Sequence, residues 1–289
     1  MNSGMVVFLW LVTVFSLLAV LFLRRRRGDR FQAGNVLLHY RDEGWGEPVV
    51  LLHGLAVNSD LNWRLTGMLA YLRRHFRVIT LDLRGHGLSD RPRDPAAYGQ
   101  ELAHDVCRLL DHLGLPRAHI VGYSLGGFIA LKAAACHSDR LCSLILLAAG
   151  WERPDDQALF RGLDRCADDL CAGRGIRALA VERFQPGRFH RALLWCYTRL
   201  MTDRQALGAL VRSLRRLTVS EGTLRELKVP VCVIAGEADY LRPAAERLRD
   251  RLPGVEFYLY PGAGHISLAW RRSMWQRVER FLLQHRCPL

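Results

Sequence analysis

The chain has 289 residues, half of them hydrophobic, enough for one domain with a large core and an insertion. Its formal net charge is +13, and arginine supplies nearly all of it, since Lys132 and Lys228 are the only lysines. That balance does not make a nucleic-acid binder, because the arginines are dispersed along amphipathic segments and no DNA or RNA module is recognisable; attraction to an anionic membrane leaflet accounts for the charge more economically.

In chain order, residues 5–23, from Met5 to Leu23, carry no charged side chain. As a helix rising about 1.5 Å per residue this run would be roughly 28 Å long, close to the ~30 Å hydrocarbon core, and it reads as a single transmembrane anchor. Arg24, Arg25, Arg26 and Arg27 follow directly and open a basic juncture, residues 24–30, whose charge predicts that the folded domain stays in the cytoplasm. A cleaved export signal is the competing reading. It wants basic residues before the apolar run and a small-x-small site after it, and neither is present.

From Phe31 onward the chain alternates between strand and helix patterns. Val36 to Tyr40 reads as an antiparallel opening, Pro48 to Leu52 as a buried strand ending at His53-Gly54, Leu61 to His75 as a helix and Arg77 to Leu83 as a strand. A helix over Tyr98 to Leu113, ended by Gly114 and Pro116, precedes the strand that reaches Gly122; a small-residue helix and the strand Leu141 to Ala149 come next. This alternation calls for a doubly wound, mostly parallel sheet covered on both faces, an α/β fold. Between residues 151 and 227 only helical patterns occur: Ala158 to Ala172, Gly175 to Phe184, Arg188 to Met201 and Asp203 to Leu217. The alternation resumes with strands at Val229 to Ile234 and Val255 to Tyr260. The core is thus expected in residues 31–150 and 228–289, with 151–227 inserted. The eight cysteines show no C-x-x-C or Cys/His metal spacing and sit mostly among apolar neighbours, so they are expected to be reduced and buried.

One stretch concentrates the chemistry. His119-Ile-Val-Gly-Tyr-Ser-Leu-Gly-Gly127 places Ser124 alone at a strand-to-helix turn, with Gly122 and Gly126 where strand and helix nearly touch: the G-x-S-x-G pattern of a nucleophile elbow. A serine hydroxyl needs a base and an acid that orients the base. Asp239 and His265 each follow a strand's carboxyl end, where open α/β sheets collect their sites, and they come in the order Ser, acid, His. Glu237 is a rival acid.

With His53-Gly54, the Asp82-Leu-Arg-Gly-His-Gly-Leu-Ser-Asp90 loop, the elbow, the Gly236-to-Pro243 segment and Gly264-His265, the chain resembles the α/β-hydrolase fold family over Phe31 to the C-terminus. The resemblance implies a catalytic triad of Ser124, Asp239 and His265, an oxyanion hole from the Leu55 and Leu125 amides, and a helical cap over the site. It requires no metal or organic cofactor. It also implies a serine hydrolase acting on carboxylic esters, lipid-like ones such as monoacylglycerols given the anchor, with Phe160, Phe184 and Trp195 of the cap as candidates to line an acyl pocket. Carbon–carbon bond cleavage, perhydrolysis and acyl transfer use the same triad and stay open, as does a non-catalytic, membrane-tethered ligand receptor. Dehalogenases and epoxide hydrolases carry Asp where Ser124 stands, which argues against both. His53 and His86 are expected to brace loops. No oligomeric state is implied.

Overall fold

In the computed structural model, residues 28–174 and 202–287 are described. The expected anchor at 5–23, Arg24–Arg27, and Phe184 and Trp195 of the cap lie outside them. Among the described residues no helix is long and apolar enough to cross a membrane.

Eight strands form one sheet in the order β1-β2-β4-β3-β5-β6-β7-β8. β1 (Asp29–Ala33) and β2 (Val36–Gly44) are antiparallel; β3 (Pro48–Leu52), β4 (Arg77–Leu81), β5 (Ala118–Tyr123), β6 (Leu141–Leu147), β7 (Val231–Gly236) and β8 (Glu256–Tyr260) run parallel. Asp29 and Arg30, expected in the basic juncture, already pair with Tyr40 and His39 in the first ladder.

Side chains of a strand alternate between faces, and both faces of this sheet are apolar. Val50, Leu52, Ile120, Leu144 and Leu146 enter one core, shared with α2 (Gln100–His112) and α3 (Leu125–Cys136). Val49, Leu51, Val121, Ile145 and Leu147 enter the other, shared with α1 (Met68–Leu72) and the last helix, α8 (Arg272–Gln284). The continuous apolar runs of the central strands follow from this double burial. Arg84 is fully buried and clamps α2 through a two-pronged contact with Asp105, 2.6 Å from Nε and 2.5 Å from Nη2.

Two expectations are corrected. Leu61 to His75 is not one helix: a π-helical turn at Asp60–Arg64 and α1 are separated at Gly67, whose φ of 94° breaks the spiral while Trp275 packs against its Cα. The cysteines are not all unpaired either, because Cys142 at the start of β6 and Cys287 beyond α8 form a disulfide with Cα atoms 5.3 Å apart. The last helix runs back to the amino ends of the strands and brings together residues 145 positions apart in sequence.

Between β6 and β7 the described residues are helical: α4 (Gln157–Cys171), capped by the Asp156 carboxylate, α5 (Arg204–Ser213), capped by Asp203, and α6 (Glu221–Arg225), capped by Ser220.

At the elbow, a Cβ on Gly122 would lie 2.2 Å from the Gly126 carbonyl oxygen, and one on Gly126 would lie 2.1 Å from that of Leu52. Both obstacles are backbone, which cannot swing aside. Gly126→Ala is expected to destabilise the chain by at least about 3 kcal/mol, measured by urea unfolding. Gly162→Ala, on α4 with nothing within 4 Å, should instead stabilise by about 1 kcal/mol. An unchanged unfolding midpoint for Gly126→Ala would show that the elbow tolerates bulk.

Candidate active site

Ser124 directly follows β5 with φ 53° and ψ −116°, a conformation that side-chain-bearing residues rarely adopt and that costs on the order of 1–3 kcal/mol. Its N–H donates to the Leu147 carbonyl at 2.8 Å, and its carbonyl accepts from the Gly127 and Phe128 amides at the start of α3. These bonds hold the strained residue from both sides. The hydroxyl is left at the carboxyl edge of the sheet.

The structure brings Ser124, His265 and Asp239 together. Ser124 Oγ lies 3.0 Å from His265 Nε2, and His265 Nδ1 lies 2.9 Å from Asp239 Oδ1. Asp239 is buried in the turn between β7 and α7 (Arg242–Arg251), and the same oxygen accepts the Leu241 N–H at 2.8 Å. With Nδ1–H donating to the carboxylate, Nε2 carries the lone pair that can take the serine proton. Glu237 does not compete for the histidine: it is exposed and accepts from the Gly262 N–H, tying the β7 loop to the β8 loop.

Leu125 is the first residue of α3, so its N–H is among those a helix start leaves without an intrahelical acceptor. Leu55 follows Gly54, where a Cβ would sit 3.5 Å from the Ser124 Cβ, so the His53-Gly54 turn lies directly against the nucleophile. His53 and His86 brace this turn. His53 Nε2 accepts the Leu83 N–H and His86 Nε2 the Ala56 N–H, both at 3.0 Å. Burial lowers both imidazoles, His86 to about 3, which keeps them neutral and able to accept. Beneath them Asp82 accepts from His39 Nδ1 and from the Ser59 and Leu88 amides, each at 3.0 Å. Burial alone would raise this carboxyl, but the His39 hydrogen bond, the adjacent His53 and the Leu88 amide hold it well below the usual carboxylate range.

Two tyrosines of the site were not singled out in the sequence. Tyr123 O–H donates to the His265 carbonyl and fixes the backbone of the histidine loop. Tyr240, next to Asp239, lays its ring 4.4 Å from the His265 ring, centroid to centroid, and its phenol hydrogen-bonds Ser124. Burial and the Asp239 charge raise the Tyr240 phenol, so it keeps its proton. Its position after the acid, inside the Gly-x-x-Asp-x-x-x-Pro segment, was the available signal. Phe160, by contrast, is buried on α4 with the Arg215 guanidinium 5.7 Å from its ring centre, a cap-packing environment. Among the described residues no group of three or more His, Cys, Asp or Glu is arranged to hold a metal ion.

The model of the alpha/beta hydrolase fold family matches residues 47–165. The putative carbamate hydrolase RutD of Caulobacter segnis is 31% identical over 247 residues, 78% of this chain and 88% of that protein. A 2-hydroxy-6-oxononadienedioate/2-hydroxy-6-oxononatrienedioate hydrolase of Paraburkholderia phymatum is 30% identical over 264 residues, 84% of this chain and 88% of that protein. Among solved structures, a thermophilic esterase from Thermogutta terrifontis matches with a TM-score of 0.74 at 26% identity, covering 89% of this chain and 100% of the esterase. The chain belongs to the α/β-hydrolase fold family and is a hydrolase.

Asp239→Asn is expected to lower kcat by roughly 10⁴-fold, because the amide keeps the shape but favours the wrong imidazole tautomer, whereas Glu237→Gln should leave kcat within about twofold. Steady-state kinetics on any turned-over ester reads this, and the reverse ranking would move the acid to Glu237. Tyr240→Phe, which keeps the ring and removes the hydroxyl, should lower kcat/KM by about tenfold, the scale of one lost hydrogen bond to a reacting group. An unchanged value would limit Tyr240 to packing.

Proposed function

We propose that this chain is a membrane-anchored serine hydrolase that cleaves carboxylic esters of lipid-like alcohols, such as monoacylglycerols, through an acyl-enzyme. The observation that carries the reading is the hydrogen-bonded chain from Ser124 through His265 to Asp239. Ser124 Oγ attacks the ester carbonyl as His265 Nε2 takes its proton, and the Leu55 and Leu125 amides receive the negative charge that develops on the carbonyl oxygen. His265 then gives the proton to the departing alcohol as the carbon–oxygen bond breaks. Water, deprotonated by the same nitrogen, releases the acid from Ser124.

The esterase match and the uncharged run at 5–23 support ester and membrane, respectively. The Arg24–Arg27 cluster favours the cytoplasmic side for the domain; the Cys142–Cys287 disulfide, a bond that persists in oxidising compartments, weighs against it. A second reading, hydrolysis of a carbon–carbon bond next to a ketone, is favoured by the Paraburkholderia relative, since the same nucleophile and oxyanion donors serve it.

The test is a substrate profile of the purified full chain over monoacylglycerols of increasing acyl length, short soluble esters and vinylogous diketo acids, beside Ser124→Ala. Monoacylglycerols should give the highest kcat/KM, rising with chain length until the acyl site is filled, and Ser124→Ala should lose about 10⁴-fold or more while folding normally. Preference for short soluble esters would replace the lipid reading with a general carboxylesterase, and preference for diketo acids would establish the second reading.

A further inference from the structure

Exposed large hydrophobic side chains are few among the described residues, and two of them belong to the loop that carries His265. Ile266 is 54% and Trp270 51% exposed, one on each side of the buried Leu268, in and just ahead of the short 3₁₀ turn Ser267–Trp270. Arg271 and Arg272 follow at once, both exposed. An aliphatic residue, an indole and two guanidinium groups in seven residues form a ridge that suits the layer between water and hydrocarbon. Indole rings favour that layer, and arginine can bury its stem while its charge meets anionic headgroups.

The other end of the sheet bears on the same point. Asp29 opens the edge strand β1 and pairs with Tyr40, which pairs with Leu81, so the chain enters level with the carboxyl ends of β3 and β4. Leu23, the last residue of the uncharged run, precedes Asp29 by six residues, a reach of at most about 20 Å. β8, which leads into the His265 loop, is the opposite edge of the eight-stranded sheet, about 34 Å away at roughly 4.8 Å per strand. Tether and ridge therefore flank the site, which lies near the middle of the carboxyl edge. The rival exposed aromatic, Trp45 at 71%, lies at the amino end of the strands in the loop between β2 and β3. Docking there would turn the site at the carboxyl edge of the sheet away from the membrane.

We infer that Ile266, Trp270, Arg271 and Arg272 dock the His265 loop on a bilayer surface containing anionic lipid, and so turn the carboxyl edge of the sheet, with its site, toward the membrane. The inference deepens the lipid-ester reading and rests on it for its purpose, because a single-chain ester would then reach Ser124 from the headgroup layer without crossing bulk water. The docking itself is a separate physical event, with its own readout.

Hydrogen exchange of the full chain, compared between uncharged detergent micelles, phosphatidylcholine vesicles and phosphatidylcholine vesicles containing phosphatidylglycerol, tests it. Slower exchange across residues 266–272 is expected in vesicles, strongest with phosphatidylglycerol. Trp270→Ser and the double change Arg271→Ser with Arg272→Ser should remove that protection. Each should also lower hydrolysis of vesicle-embedded monoacylglycerol by roughly tenfold while soluble p-nitrophenyl butyrate is turned over as before. Equal exchange of 266–272 in all three environments, protection at 43–47 instead, or equal loss on both esters would overturn the inference. If the native chain hydrolyses no ester, the exchange measurement still decides docking, so failure of the lipid-ester reading and failure of the docking are told apart.

Discussion

The approach of one helix start to two strand ends is the constraint on which the site depends. α3 begins so close to β5 and β3 that the Cα atoms of Gly122 and Gly126 face carbonyl oxygens where a side chain would stand. That closeness forces Ser124 into its positive-φ turn, and the turn gives the domain a hydroxyl that is neither buried in the sheet nor spent as a helix cap. The strain is offset by the packing of the small-residue helix, whose Ile129, Ala130, Ala133 and Ala134 are fully buried. The geometry of the Ser124 turn and the stability of the fold share the same atoms here, so neither can be altered alone.

A second constraint keeps the neighbouring turn in place. Asp82 is a buried carboxylate with donors from three segments: His39 on β2, Ser59 beyond the His53-Gly54 turn and Leu88 in the loop after β4. Together with neutral His53 and His86 it forms a buried polar layer under Leu55, where a lost partner would leave a polar group unsatisfied. The same low-dielectric surroundings that make this layer costly to disrupt keep it rigid. A rigid layer is what the proposed oxyanion donors would require, since reorganisation during a reaction would consume the stabilisation they provide.

Tyr240 and Tyr123 extend the same logic to the histidine. One presses on the imidazole and reaches the serine, the other holds the histidine's carbonyl, and both phenols stay protonated because burial raises them. The imidazole is thereby fixed from its face, its backbone and its Nδ1 edge, leaving Nε2 directed at Ser124. The loop beyond it is free to serve another purpose, and its exposed Ile266 and Trp270 have no such internal work.

By itself the sequence determined the layer order and the place of the chemistry. Apolar runs such as Pro48–Leu52, and Leu141–Leu147 with Ser143 as its polar residue, read as strands covered on both faces, and Gly122-x-Ser124-x-Gly126 is spaced for a close crossing, since each depends on neighbours a few residues away. Other features depended on partners distant in the chain. Gly67 breaks a helix that its local pattern favours because Trp275 packs there, and β1 begins at Asp29 despite its polar residues because β2 offers it a ladder. Cys142 meets Cys287 only when α8 returns along the sheet, and the separation of Asp239 from Glu237 as hydrogen-bond partners of different loops is settled by which carboxylate the folded turn buries. Local spacing fixes what a segment is able to be; contacts between segments far apart in sequence decide which side chains share a proton.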